Sequence, residues 1–295
     1  MAVFRRRQTE PEVAPTSVAI VTDSTAGLAP EVVEQYGIHV VPLRVLLGTR
    51  SAVDGVEILG CDVATALRDK VVITTSRPTP AEFAASYRAC LDGGATHVVS
   101  IHLAAALSGT WESATLASQD FGHGVVRVLD SRAAGMGLGY AVLAAARAAS
   151  AGAGPAEVQG AAVEVIDRTK IMFYVDTLEY LRRGGRVGNA AALLATSLAV
   201  KPLLQMAEGN IVALEKVRTS SKALARLVEL TAAAAGDGPV DLAVHHLDAP
   251  ERANAVAEQL RGRVPQLGEL QVSELGAVIG AHLGPGAIGT VVVRR

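Results

Sequence analysis

Cysteine is nearly absent: Cys61 and Cys90 are the only two in 295 residues, and no CxxC spacing joins them. That excludes a disulfide framework and points to a reduced, cytoplasmic setting. Aromatic residues are scarce as well, with four Phe, five Tyr and one Trp, so the volume of the core must come from Ala, Val and Leu. Net charge is missing in either sign. A formal balance of −2 gives no electrostatic footprint for nucleic acid or for an acidic membrane surface. No apolar run of about eighteen residues escapes a charge or a breaker, so no stable membrane insertion is expected. The opening stretch MAVFRRRQTEPEVAPTS has Arg5, Arg6 and Arg7 but no apolar segment behind them. It therefore does not read as a secretory signal, and residues 1–16 are expected to form a disordered tail.

Most enzyme signatures are lacking too. No GxSxG surrounds Ser108, which Ala106 and Leu107 precede, and neither GxxxxGK[ST] nor HExxH occurs. GPGAIG at 284–289 matches GxGxxG, but TVVVRR follows it, a strand where a dinucleotide site needs a helix. His245 and His246 are adjacent on a strand-like run and point to opposite faces, which keeps them from sharing one metal. Neither a metal site nor a cofactor is expected.

What is present is an alternation of strand and helix patterns. VAIVT at 18–22, THVVSIHL at 96–103 and GVVRVLDS at 124–131 read as strands between helical stretches at 80–91, 108–118 and 136–151. This predicts an α/β fold whose first part is a Rossmann-like parallel sheet with helices on both faces. The glycines and Pro155 of SAGAGPAEV mark a connection. They suggest two α/β domains, 17–160 and 161–295. In the second, PLLQMAEGNIVALEKVR predicts a hairpin about Glu208-Gly209-Asn210, and NAAALLATSLAV at 189–200 predicts a helix.

Several polar clusters interrupt this pattern. Asp23-Ser24 and Asp130-Ser131 end strands, where α/β sheets collect ligands, but they can equally turn the chain and cap the next helix. Thr74, Thr75 and Ser76 precede Arg77-Pro78, and the proline holds the segment extended. Ser108 opens a helix as nucleophile, N-cap or anion cradle. No neighbour in sequence supplies the base a nucleophile needs, while a helix start suits a carboxylate. Arg182, Arg183 and Arg186 surround Gly184-Gly185. The first two fit a solvated last turn, and Arg186 is the likelier functional cation. Arg218, Lys222 and Arg226 form an i, i+4, i+8 stripe of the kind that usually faces solvent.

TDSTAGL at 22–28, TSRPTP at 75–80, LSGTWESA at 107–114, LDS at 129–131, TLEYLRRGGRV at 177–187, KPLL at 201–204, EKVRT at 215–219 and AHLGPGAIG at 281–289 together resemble the DegV family of lipid-binding proteins. The resemblance covers nearly everything after residue 16. It implies a non-enzymatic carrier that holds one long-chain fatty acid between its domains. Ser76, with Thr75 beside it, and Ser108 would bind the carboxylate. Some members hand the acid to a fatty-acid kinase. Arg186 and His282 match the positions that serve the acyl phosphate or kinase contact, and Arg77 and Thr110 are further head-group or partner positions. Two departures stand out. Ala104-Ala105 replace serines common in the family, which isolates Ser108. Arg77 stands where glutamine is usual, so it either strengthens carboxylate binding or points to solvent. The competing reading is an enzyme, a phosphotransferase component or serine hydrolase using Ser108.

Overall fold

The computed structural model describes residues 17–188, 190 and 201–295. The expected tail and nearly all of the expected helix at 189–200 lie outside the described residues. In chain order, the first elements are β1 (Val18–Asp23), α1 (Pro30–Tyr36), β2 (His39–Val41), β3 (Arg44–Leu47), β4 (Arg50–Val53), α2 (Gly60–Arg68), β5 (Ile73–Ser76) and α3 (Pro80–Asp92). Next come β6 (His97–His102), α4 (Thr110–Ser118), β7 (Val126–Asp130), α5 (Met136–Ser150), α6 (Pro155–Arg168), β8 (Thr169–Tyr174) and α7 (Glu179–Arg183). The chain continues with β9 (Lys201–Ala207), β10 (Asn210–Val217), α8 (Ser220–Ala235), β11 (Val240–His246), α9 (Pro250–Arg261), β12 (Leu267–Glu274), α10 (Ala277–Leu283) and β13 (Ile288–Arg294).

Among the described residues the strands form three sheets. The first is wholly parallel, in the order β2-β1-β6-β7, and it is the Rossmann-like sheet that the apolar runs predict. Such strands are buried on both faces, so they read as continuous Val and Ile rather than as alternation. Ile20, Val99 and Ile101 pack on α5 and α6, while Val21 and Val98 face Phe83 and Tyr87 of α3 and Ala114 of α4. The order of the second sheet is β10-β9-β8-β13-β11-β12. Of its five pairings only β11 with β12 is parallel, and the predicted hairpin turns at Glu208 and Gly209 between β9 and β10. Helices α8 and α9 cover one of its faces. A small antiparallel sheet, β4-β3-β5, carries the TTS segment.

Helix α5 joins the two large sheets. Leu138, Ala141, Val142 and Ala145 pack on the parallel sheet, while Met136, Tyr140 and Leu143 meet Ala243, Val291 and Val293 of the second. Glycine is needed where the backbone comes close: a Cβ on Gly139 would lie 2.5 Å from the Ala26 carbonyl oxygen. The Ala- and Gly-rich composition of 136–146 thus goes with burial of nearly every side chain there.

Two elements escape the sequence pattern, β4 and α10. The seven-residue α10 has Gly276 before it, Gly284 after it and Gly280 inside it, and glycine is the weakest helix former after proline. Packing holds it instead. Ala277, Val278 and Ala281 bury against Leu43, Val45, Val63 and Leu67, and the buried Asp54 carboxylate accepts from Val278 N at 3.4 Å. Among the described residues, no helix is long and apolar enough to cross a membrane.

Candidate functional site

A cavity of about 420 Å³ opens where the three sheets and α10 converge. The small sheet contributes Thr75 and Ser76, and the loop after β6 contributes Leu103, Leu107 and Ser108. Phe173, Ile171, His245 and Val291 form its floor on the six-stranded sheet, and Val278, Ile279, His282 and Leu283 of α10 close it from above. Arg77 and Arg186 also reach it. Six of the seven residues singled out from the sequence therefore line one space: Thr75, Ser76, Arg77, Ser108, Arg186 and His282. The seventh, Thr110, lies fully buried behind Ser108.

The lining is apolar apart from a cluster of hydroxyl and basic groups. Thr79, Pro80 and Glu82 fix the segment after Ser76: Thr79 caps α3, Glu82 answers in a capping box, and Pro80 sits in the first turn. The Ser76 hydroxyl has no hydrogen-bond partner among the described residues. Thr75 Oγ1 lies 2.9 Å from His282 Nε2. The other ring nitrogen, Nδ1, is buried with no partner among the described residues, pressed against Gly184 so closely that a Cβ there would stand 2.2 Å away. Burial, and then the nearby Arg186 cation, push His282 down to about 4, so the ring is neutral near pH 7. A buried N–H without an acceptor is rarer than an idle acceptor, and Arg186 favours a lone pair on the ring. Nε2–H therefore donates to Thr75 Oγ1, and the Thr75 hydroxyl hydrogen is left to donate elsewhere.

Ser108 is not the N-cap that the sequence suggests. Gly109 holds that place, and Ser108 stands one residue earlier, its Oγ accepting from Thr110 N at 3.3 Å and lying 2.8 Å from Thr110 Oγ1. With Thr110 donating, Ser108 keeps its own O–H for a ligand. No basic side chain lies within hydrogen-bonding reach of Ser108 among the described residues, so the geometry suits an anion cradle better than a nucleophile. Arg186 ties the two sides of the mouth together, with Nε donating to Leu107 O at 3.0 Å and Nη1 to Gly184 O.

Arg77 neither reaches for the cavity's hydroxyls nor points freely to solvent. It lies over Gly109, donating to Gly109 O at 3.4 Å and pairing with Glu112 at 2.9 Å. Asp23 and Asp130 turn the chain. Asp23 accepts from Thr25 N, Leu103 N and His102 Nδ1, and Asp130 from Ala105 N and Arg132 N. His102 continues to Ser100 at 2.6 Å and through it to Tyr87 at 2.9 Å. This Asp–His–Ser row resembles a hydrolase triad in composition, but all three side chains are fully buried and none lines the cavity.

His245, for which the sequence predicts no shared metal with His246, lines the cavity. Its Nε2 accepts from Met136 N at 3.0 Å and its Nδ1 meets Ser273 Oγ at 3.0 Å, and burial holds it down at about 4. It pins the start of α5 to the second sheet. Alternation along VDLAVHH puts His245 on the face opposite His246, and only pairing with β13 reveals which face is the cavity's. Among the described residues, no three His, Cys, Asp or Glu side chains are grouped to hold a metal ion.

The DegV family profile, whose members are described as uncharacterised proteins, matches residues 17–295. A DegV domain-containing protein of Streptomyces coelicolor is 53% identical over 278 residues, covering 94% of this chain and 99% of the relative. Among solved structures, a DegV family protein from Thermus thermophilus, described as binding fatty acid, superposes with a TM-score of 0.90 at 34% identity, over 95% of this chain and 100% of its own. DegV of Bacillus subtilis, described as a fatty acid binding protein, gives 0.87 at 34% identity, over 95% of this chain and 100% of its own.

Proposed function

The chain belongs to the DegV family, and from that premise we propose that it binds one long-chain fatty acid in the cavity between the sheets. The observation that carries this reading is the composition of the lining: an apolar body about 420 Å³ in volume whose polar groups include Ser76, Thr75, Ser108, His282 and Arg186. The volume is within the usual range for small-molecule sites. Burying an alkyl chain yields about 0.8 kcal/mol per CH₂, so the tail supplies most of the affinity. Hydroxyl donors to the carboxylate add roughly 1.5–3 kcal/mol each and fix its orientation.

In this reading three donors converge on the carboxylate. Ser76 is unengaged, Ser108 is freed by Thr110, and Thr75 is freed by His282. The division proposed for the chain, residues 17–160 and 161–295, puts the three hydroxyls on one unit and Arg186 and His282 on the other, so the mouth needs both. Presentation of the held carboxylate to a fatty-acid kinase would use Arg186 and His282 at that mouth. The protein acts as a carrier in this proposal, without chemistry of its own.

Native mass spectrometry of freshly purified protein tests it. The expected spectrum contains a complex heavier than the chain by one long-chain acid, and mild delipidation and refilling with palmitate restore it. Protein that emerges free of any acyl ligand and cannot be loaded would overturn the reading. Ester turnover abolished by Ser108→Ala would replace it with the hydrolase reading.

A further inference from the structure

Behind the far wall of the acyl cavity lies a second cavity of about 190 Å³, and among the described residues the two share the lining residues Ile171 and Met206. Sheet register shows where this wall stands. Gly289 pairs with Phe173 and Val291 with Ile171, so the cavity floor steps two residues along β8, from Phe173 to Ile171. That step leads away from Val175 and Leu181, at the end of the sheet where Leu275, Ile279 and Leu283 pack. On β9, Leu204 pairs with Phe173, so Met206 stands level with Ile171. The partition is thus at the end of the floor remote from α10 and its His282. Ile171 is stiff at its branched Cβ, whereas an unbranched Met has three rotatable bonds and can swing aside.

The second cavity differs in chemistry from the first. Ser131, Arg132, Asp167, Thr169 and Glu208 supply its polar side chains. Arg132 bridges Asp167 at 2.5 Å and Glu208 at 3.1 Å, and the guanidinium retains further N–H donors beyond those two bonds. Among the described residues, four that are not glycine have positive φ, and Arg132 at 53° and Glu208 at 46° are two of them. At Glu208 the two-residue hairpin turn between β9 and β10 accounts for the positive φ, while at Arg132 it comes just after the end of β7.

We propose that this second cavity is a distal subsite for the ω-end of the acyl chain, entered past Met206, and that it takes chains whose far carbon carries a hydroxyl. The inference rests on the reading of the larger cavity as the acyl site. A bare methyl end gains nothing among charged groups. A second carboxylate would meet Asp167 and Glu208. A hydroxyl both donates and accepts, so it can give its hydrogen to either carboxylate while accepting from Arg132. In a closed apolar tunnel, the same hydroxyl would be buried unpaired at a cost of about tenfold or more in affinity.

The test compares delipidated protein binding saturated acids of sixteen and twenty carbons with their ω-hydroxy counterparts by calorimetry. The expected result is that, at one or both lengths, the ω-hydroxy acid binds within about threefold of its parent. Met206→Phe, which thickens the partition, should weaken the ω-hydroxy acid at least tenfold while moving the parent less than threefold. Arg132→Ala, at the surface side of the subsite, should lower the ω-hydroxy acid selectively. A wild-type penalty of tenfold or more at both lengths overturns the proposal, as does equal loss of both acids in each variant. Binding of the parent acids in those cases leaves the acyl-site reading standing. If neither parent nor ω-hydroxy acid binds, the acyl-site reading itself fails.

Discussion

Among the described residues four histidines are hydrogen-bonded to a hydroxyl, and the surroundings of two of them, His102 and His282, separate a closed network from an open one. His102 has both ring nitrogens occupied, by Asp23 and by Ser100, and is fully buried in the parallel sheet. Its network ends on Tyr87, whose phenol burial pushes up. Among the described residues His282 has one partner, Thr75, while its other nitrogen is buried alone. A fully paired buried network rigidifies the fold, whereas an incomplete one is retained where something else completes or exploits it. The His102 row has the composition of a catalytic triad and no access. The His282 pair has no triad and faces a cavity.

The strongest way to break this comparison is to remove the carboxylate of the closed network. Asp23→Ala strands Leu103 N, Thr25 N and His102 Nδ1 together, and a buried donor left without its acceptor costs about 1–3 kcal/mol each. Urea denaturation should show that loss, while the fraction that remains folded binds palmitate within about threefold of wild type. A small stability change together with abolished binding would instead place Asp23 in the site.

Acid sharpens the contrast next. His282 and His245 both stand near 4 against an ordinary 6.5. The unfolded chain therefore binds protons that the native state refuses between those values, and stability rises with pH across that window. Their contribution is complete above about pH 6.5 and is lost as pH falls towards 4, by about 3 kcal/mol for each ring. His246, also lowered by burial, adds in the same direction, while buried Asp54, raised by burial, opposes it at the acid end. Stability measured by denaturant between pH 4 and 7 should flatten in His245→Gln and in His282→Gln. An unchanged slope in both would show that neither ring is held neutral.

A smaller effect is expected at the open end of the comparison. Ser108→Ala removes one donor to a carboxylate and should weaken palmitate about tenfold to a hundredfold, with stability altered by less than about 1 kcal/mol. Ser76→Ala should match it. Thr75→Val should do less, since His282 can turn its N–H to the ligand. Equal stability losses in all three would mark these hydroxyls as structural.

The parallel sheet was legible because its strands are short apolar runs closed by turn residues, and α3 and α8 because their caps are written locally as TPAE and TSSK. The TSRP and SGT segments were readable as polar breaks at element ends, and the fold brings both to the cavity. Two features were not. Helix α10 is only seven residues long, carries Gly280 inside it and survives on tertiary packing, so little in its own composition announces that His282 lies on a helix. The second sheet places β13 between β8 and β11, a pairing set by the closing of the whole fold. His245 joins the cavity only through that pairing. The family resemblance named Arg186 and His282 as positions, but Gly184, which makes room for the ring, emerges only in three dimensions.

Arg77 provides the finest test, because it lies at the boundary between the two kinds of site. A cation beside the proposed carboxylate pocket invites the view that it binds the ligand, yet its Nη1 is already engaged by Glu112 and Gly109 O. Both side chains of the pair are largely exposed, 50% for Arg77 and 73% for Glu112, and exposed pairs of this kind contribute about 0–1 kcal/mol. Because the two charges cancel locally, the head group meets little net field from them. Arg77→Gln should therefore weaken palmitate less than about threefold near physiological salt. The loss should grow at low salt, where the unbalanced Glu112 is less screened. Arg77→Gln combined with Glu112→Gln should return affinity to the wild-type value. A loss of tenfold or more in both the single and the double variant would mean that Arg77 leaves Glu112 when the acid arrives and grips the carboxylate itself.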